Sequence, residues 1–287
     1  MNFVDAIIQY EFLQKALITS VMVGIICGVI GCFIILRGMA LMGDAISHAV
    51  LPGVAISYML GINFFFGAVA SGVLTSIAIG FVSQNSRLKN DTSIGIMFTS
   101  AFAAGIILIT FMKSSTDLYH ILFGNVLAVR PSDMWVTLGI GLLVITVVYF
   151  FYKELLVTSF DPTMASAYGL STKLIHYLLM TMLTMVTVAS LQTVGIVLVV
   201  AMLITPAATA YLLTDRLTLM IYLASGFGAV AAFIGLYFSF TYNLSSGATI
   251  VLVSTVMFIA VFLMSPKYGF IQRFIRSRKI RSLEGEM

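Results

Sequence analysis

Charge is scarce in this chain of 287 residues: 9% of them are Asp, Glu, Lys or Arg, whereas 60% are hydrophobic. Ordinary soluble domains are about a quarter charged. Between Arg37 and Arg87 the one formal charge is Asp44, and no such charge occurs from Leu174 to Thr214 or from Leu217 to Pro266. Uncharged apolar stretches of this length are typical of membrane-spanning helices. The composition therefore excludes a soluble domain and indicates a polytopic membrane protein.

Motifs for catalysis by this chain are missing as well. The sequence has no G-x-x-x-x-G-K-[ST] phosphate loop and no H-E-x-x-H or G-x-S-x-G motif, which argues against ATP hydrolysis, metalloprotease or serine-hydrolase chemistry. The net charge of +4 reflects a basic tail over residues 267–287, and such a juxtamembrane tail is typical of a cytoplasmic anchor. We therefore predict no enzyme activity, no permanently bound cofactor and no nucleic-acid partner.

Nine apolar segments have about the length that a membrane span requires. They are 13–36, 39–60, 64–82, 93–112, 134–152, 174–189, 194–213, 217–238 and 248–264. The sixth is the shortest, and if one segment lies in the interface instead, eight spans remain. The predicted fold is all-α: one transmembrane domain over residues 1–287, with eight or nine transmembrane helices.

The stretch "GDAISHAVLPG", residues 43–53, places ionisable groups inside the second segment. A buried Asp costs about 2.5–3.5 kcal/mol on insertion scales, so by default it marks a functional site. Asp44 and His48 are four residues apart, on one face of a helix. Pro52 cannot donate to the carbonyl of His48 and is predicted to leave it unpaired. These groups predict a divalent-cation site; the alternative is a hydrogen-bonded pair that only holds two helices together.

A second proline in an apolar setting lies in the other half of the chain. Pro206, in "AMLITPAATAYLL", is predicted to break the seventh span and to line the ion path with Pro52, as inverted repeats do. Met202 stands where His48 would, so this half supplies no strong ligand. Since Asp44 and His48 leave most of a coordination sphere empty, a two-fold dimer would bring two pairs together. Such oxygen and nitrogen ligands suit Mn²⁺ or Fe²⁺, and also Zn²⁺, whereas copper would favour thiolates.

A short capped helix is predicted in the loop that contains "SFDPTMASAYG". Asp161 is a natural N-cap, Pro162 suits the first helical position, and Gly169 suits the C-terminal end of a helix over residues 162–168. An isolated helix between two spans is a candidate docking surface, and the alternative is a plain connector. Energy must come from an ATPase docked there or from a proton gradient acting through Asp44 and His48.

The run "ILRGMALMGDAISHAVLPGVA", residues 35–55, resembles the permease family that imports manganese, zinc and iron in ATP-binding-cassette systems. The likeness extends through "SSTDLYHILFGN", "SFDPTMASAYG" and "VAMLITPAATAYL", and thus over nearly the whole chain. The resemblance implies a fold similar to the vitamin B12 importer permease and a location in the bacterial plasma membrane, surrounded by lipid. It also implies a dimer of permeases, cytoplasmic ATPase subunits, and an extracellular solute-binding lipoprotein that delivers the ion.

The same resemblance places the metal ligands on Asp44 and His48. It places the helix that contacts the ATPase at about residues 160–170, which include the following positions: Phe160, Asp161, Pro162, Ala165 and Gly169. The run "LMGDAISHAVLPG" is similar to the manganese branch rather than the zinc branch, which is expected to carry an aromatic residue before the Gly-Asp pair. The predicted function is the permease subunit of a manganese importer, with zinc or iron as alternative ions. The rivals are a proton-coupled carrier that uses the same pair as a proton relay, and a purely structural membrane subunit.

Overall fold

A computed structural model describes residues 3–111 and 126–265. Within those ranges the chain is helical, with a single 3₁₀ turn at Val126–Ala128 and no strand. The predicted basic tail at 267–287 and residues 112–125 of the predicted outer loop lie outside the described residues. The α-helices in chain order are α1 (Phe3–Gln9), α2 (Glu11–Leu36), α3 (Met42–Ala49), α4 (Leu51–Leu60), α5 (Phe64–Asn85), α6 (Asn90–Phe111), α7 (Pro131–Phe150), α8 (Tyr152–Phe160), α9 (Pro162–Ala167), α10 (Thr172–Val194), α11 (Ile196–Tyr211), α12 (Leu217–Tyr242) and α13 (Ser246–Met264).

Each of the nine predicted segments contains helix, which confirms an all-α, multi-pass membrane protein. Seven helices of the described chain are long and apolar enough to cross a membrane, namely α2, α5, α6, α7, α10, α12 and α13. The seventh segment forms the shorter α11, and the second is split into α3 and α4, of 8 and 10 residues. The sixth segment, predicted to be the shortest, lies within the 23-residue α10. Lys173 at one end and the polar residues Ser190, Gln192 and Thr193 at the other concealed its true length.

One group of helices is assembled around α2. It packs most extensively against α12 and α11, which also contact α13. Glycines let the backbones of α2 and α12 approach closely: a Cβ atom on Gly24 would lie 2.6 Å from the carbonyl oxygen of Gly228. Small residues at crossings are the usual means of close helix association in membranes. These helices form a tightly packed group.

A second group consists of α4, α5, α6, α7 and α10. In it α4 lies on α5 and α6, while α10 lies between α5 and α7. The single residue Gly195 joins α10 to α11 with φ 83° and ψ 165°, a conformation that glycine accepts most readily. The short α3 contacts α5, α6 and α10 of this group and also α11 of the first group. It therefore lies where the two groups meet, and this position places the candidate site inside the protein.

Candidate metal-ion site

The short helix α3 buries one face and presents the adjacent face to a cavity. On the buried face, the hydroxyl of Ser47 donates to the carbonyl of Gly43 at 2.9 Å. Gly43 allows α11 to approach, because a Cβ atom there would lie 2.7 Å from Cδ1 of Leu203. Asp44 and His48 each follow a buried residue by one position and so lie on the neighbouring face. Packing of α3 against α11 thus fixes the direction of both ionisable side chains.

Asp44 and His48 converge, as their spacing predicts. Nε2 of His48 lies 3.5 Å from Oδ1 of Asp44, with 30% of the imidazole and 43% of the carboxylate side chain exposed. Both side chains line a cavity of about 480 Å³. The rest of its lining comes mainly from α11, with one residue from α13: Ile196, Val197, Val200, Ala201, Ile204, Thr205 and Val251. One wall therefore carries a carboxylate and an imidazole, and the opposite wall is almost entirely apolar.

Two aromatic residues of α6 hold the other side of the His48 ring. The ring of Phe102 lies 5.3 Å from it at 83°, and the ring of Phe98 lies 6.1 Å from it at 36°. Nδ1 of His48 is buried without a hydrogen-bond partner among the described residues. Nε2 is consequently the nitrogen that faces Asp44 and the cavity. Sequence reasoning missed both phenylalanines, because they belong to a different helix and look like ordinary lipid-facing residues.

The arrangement can supply two ligands to one divalent cation. Two atoms 3.5 Å apart can both lie about 2.1 Å from a single ion, a usual distance for nitrogen and carboxylate ligands. Within residues 3–111 and 126–265, no third His, Cys, Asp or Glu joins the pair to form a metal-binding group. Thr205 is the other polar residue of the lining. One chain therefore offers an incomplete coordination sphere, and metal binding by Asp44 and His48 stays a prediction.

The two prolines differ from the prediction. Pro52 is the second residue of α4, so the helix does break beside His48, but a backbone N–H at the end of α3 bonds to the His48 carbonyl. The carbonyl is not free, because the chain tightens its last turn before the proline. Pro206 lies inside α11, which continues to Tyr211. Neither proline is among the described residues that line the cavity, and Met202 is buried.

The capped helix predicted near residue 162 is present as α9. The side chain of Asp161 accepts hydrogen bonds from the backbone N–H groups of Thr163 at 3.0 Å and Met164 at 2.9 Å. The bond from Met164, followed by that from Thr163, holds the pKa of Asp161 below its usual value. Pro162 begins the helix, and Gly169, with φ 79°, follows its end. The chemistry of the cap thus accounts for both ends of α9.

Most of the residues predicted to contact an ATPase are accessible on α9 and beside it. Phe160 and Tyr168 are 58% and 71% exposed, which is unusual for large aromatic residues outside a lipid-facing span. Asp161 and Pro162 are exposed as well. Ala165 was predicted to belong to this surface and does not, because it is fully buried. It lies on the face of α9 that packs against α8 and α10, and therefore anchors the helix.

Comparison with known proteins adds to this geometry. The model of the family described as "ABC 3 transport family" matches residues 9–265. "Manganese transport system membrane protein MntC" of Listeria monocytogenes is 67% identical over 280 residues, which cover 98% of this chain and 99% of that protein. "Manganese import system permease protein ScaB" of Streptococcus gordonii is 53% identical, over 96% of this chain and 99% of that protein. A solved structure, "PsaBC from Streptococcus pneumoniae in complex with Fab", is similar with a TM-score of 0.85 and 52% identity, covering 94% of this chain and 98% of that chain.

Proposed function

The chain belongs to the ABC 3 transport family, and from that membership we propose that it is the permease of an ATP-driven importer of divalent metal ions, with manganese as its main cargo. The choice of manganese is supported by the similar proteins named as manganese transport and import permeases. An "iron transport system membrane protein" of Haemophilus influenzae, qualified as probable, is more distant at 40% identity. Iron and zinc are therefore competitors to test rather than the first choice.

The observation that carries the proposal is the convergence of Asp44 and His48 on one cavity. The pair supplies the oxygen and nitrogen ligands that manganese accepts, and no thiolate of the described chain accompanies them. The wall formed by α11 offers one further oxygen donor, the hydroxyl of Thr205, so an ion that passes is held mainly by the charged pair on α3. Side chains at 30% and 43% exposure remain reachable from the cavity without deep desolvation. The site therefore suits transient binding of a cargo ion.

A second copy of the permease, or a related permease chain, would complete the coordination. Two ligands from one chain leave a site for a manganese ion unfilled, because such ions prefer about six oxygen or nitrogen ligands. Pairing about a two-fold axis would place two carboxylates and two imidazoles around one path. Water could fill the remaining positions. The ion site is then a property of the assembled dimer.

Energy is proposed to come from a separate ATPase that binds at α9. The 287-residue sequence contains no phosphate-binding loop, so hydrolysis of ATP is assigned to a partner chain. The exposed Phe160 and Tyr168 at the two ends of α9 provide apolar anchors for that partner. An extracellular solute-binding lipoprotein would deliver the ion to the opposite end of the bundle. The chain itself is thus the transport subunit.

Uptake of radiolabelled Mn²⁺ tests the proposal. The full chain is expressed with its ATPase and binding-protein subunits in bacterial cells that lack other manganese importers. We expect saturable uptake that is lost when the ATPase carries an inactive phosphate-binding loop and that survives a protonophore while ATP is maintained. Competition by Zn²⁺ and Fe²⁺ ranks the cargo ions. Uptake that is unchanged with the inactive ATPase but is abolished by the protonophore would instead show a proton-coupled carrier.

A further inference from the structure

Arg37 connects two parts of the chain that are far apart in sequence. Its Nε donates to the hydroxyl of Ser159 at 3.1 Å, and its Nη2 donates to the hydroxyl of Thr158 at 2.8 Å. The partners are 122 and 121 positions away, in the last turn of α8. Thr158 is itself buried and donates to the carbonyl of Glu154 at 2.7 Å. The guanidinium is therefore held by two oriented hydroxyls on a fixed helix end.

The charge of Arg37 is partly buried and has no carboxylate to neutralise it among the described residues. Burial lowers its pKa to about 10, so the side chain is still cationic at neutral pH. Its surroundings compensate in another way: Arg37 directly follows α2 and contacts the C-terminal turn of α8. Both helix ends carry partial negative charge, which favours a cation there. A carboxylate is not required to keep the charge in place.

Arg37 stands between the candidate ion site and α9. On one side, Gly38 with φ 65° turns the chain toward α3, and Asp44 follows Arg37 by seven positions. On the other side, Ser159 is two residues before Asp161, the cap of α9. The path from α9 to Asp44 thus consists of a helix cap, two hydroxyl contacts, one guanidinium and one glycine turn. Every step is covalent or hydrogen-bonded.

We propose that Arg37 is a positioning residue that transmits displacement of α9 to α3, and so to Asp44. This inference rests on the proposed function, since it assumes that an ATPase moves α9. Hydrogen bonds from a guanidinium fork are directional, so a shift of α8 and α9 carries Arg37 with it or breaks the contact. Either outcome changes the conformation of the chain between Gly38 and Met42. Loose packing alone would not transmit motion with such direction.

The test compares ATP hydrolysis with ion transport in proteoliposomes that contain the full chain, its ATPase and its binding protein. For Arg37→Gln we expect Mn²⁺ transported per ATP hydrolysed to fall about tenfold, a usual size for coupling between sites, while ATP hydrolysis changes by less than about twofold. Arg37→Lys, which keeps the charge without the fork, is expected to be intermediate. The exposed Arg216 provides a matched control, because Arg216→Gln removes the same charge elsewhere.

The hydroxyl side of the contact provides a second variant. Thr158→Val combined with Ser159→Ala should reproduce the uncoupling, and adding Arg37→Gln to it should have little further effect. This double variant decides the question if Arg37→Gln does not assemble. Normal coupling in these variants, or a proportional loss of hydrolysis and transport, overturns the inference. A wild-type complex without ATP-driven Mn²⁺ uptake overturns the proposed function, and this inference with it.

Discussion

The rings of His48 and Phe102 meet nearly at right angles, at 83°, with their centroids 5.3 Å apart. The contact joins α3 to α6 and leaves Nε2 of His48 directed at Asp44. Aromatic pairs of this geometry stabilise by about 0.5–1.5 kcal/mol beyond simple burial. The orientation of a candidate metal ligand thus depends on a residue that cannot itself bind the ion.

Replacing Phe102 with Leu is expected to weaken ion binding without removing a ligand. Loss of the aromatic contact, at about 0.5–1.5 kcal/mol, corresponds to an increase of about 2- to 12-fold in the dissociation constant. Titration of the purified permease with Mn²⁺ in the absence of the binding protein measures it. Phe111→Leu, at a position of α6 that is 79% exposed, is the control, and equal behaviour of the two variants would contradict an orienting role.

Substitution of the ligands themselves should have a larger effect. Removing a residue that only supports a ligand costs about 10- to 100-fold in metal affinity, so Asp44→Asn and His48→Gln should each reduce Mn²⁺ uptake by at least that factor. Uptake is compared at equal membrane abundance. Asp91→Asn, at an exposed acid in the first turn of α6, should transport normally. Normal transport by both ligand variants would assign the pair to helix packing.

Replacement of two glycines of α12 by alanine is expected to change the thermal unfolding temperature differently. A Cβ atom on Gly228 would overlap the carbonyl oxygen of Gly24, whereas nothing lies within 4 Å of one on Gly226. Overpacking costs about 1–3 kcal/mol, so Gly228→Ala should lower the thermal unfolding temperature in detergent. Gly226→Ala should leave it unchanged or raise it slightly, because alanine favours helix. Similar unfolding temperatures for both variants would be inconsistent with a close α2–α12 crossing.

Protonation of Asp161 should weaken the cap of α9, so the cap should be stable at neutral pH and be lost in acid. The pKa of Asp161 is lower in the folded chain than its usual value. The stability that its ionised carboxylate gives to the folded chain is therefore complete above the unfolded-state pKa and is lost as pH falls through the folded-state pKa. ATPase binding to the purified permease should thus not change near neutral pH on account of this group.

Side-chain variants at the same position separate the cap from its charge. Asp161→Ala should weaken ATPase binding, and Asp161→Asn should preserve it, because Asn also accepts from the first-turn N–H groups. Asp133→Ala removes a partly buried acid in the first turn of α7 and serves as the charge-matched control. Equal binding by Asp161→Ala and the wild type would show that the cap does not matter for docking.

Local sequence signals predicted much of this structure. The apolar segments all contain helix, although the second is split and the seventh is shorter than a span. The cap at Asp161 and the shared face of Asp44 and His48 depend on residues within one turn of each other, and both appear as predicted. Interpretation of single residues was weaker. Pro206 was predicted to break a span, yet α11 continues past it, because an apolar helix packed on α2 tolerates one missing hydrogen bond.

Features that depend on tertiary contacts lay beyond the sequence. Ala165 looked equivalent to its neighbours until packing against α8 showed that its face is buried. The contact of Phe102 with His48 and that of Arg37 with Thr158 each join separate helices. No spacing rule in one sequence identifies such pairs. The candidate site was therefore predictable in its ligands and not in the residues that position them.

The single-residue connection at Gly195 has a practical consequence for labelling. An inserted epitope or a bulky fluorophore there would replace the φ 83° conformation and separate two helices that have no slack between them. The segment between α5 and α6 is different, since Ser86, Arg87, Leu88 and Lys89 are all exposed. A reporter placed in that segment would follow the protein without disturbing the wall of the cavity.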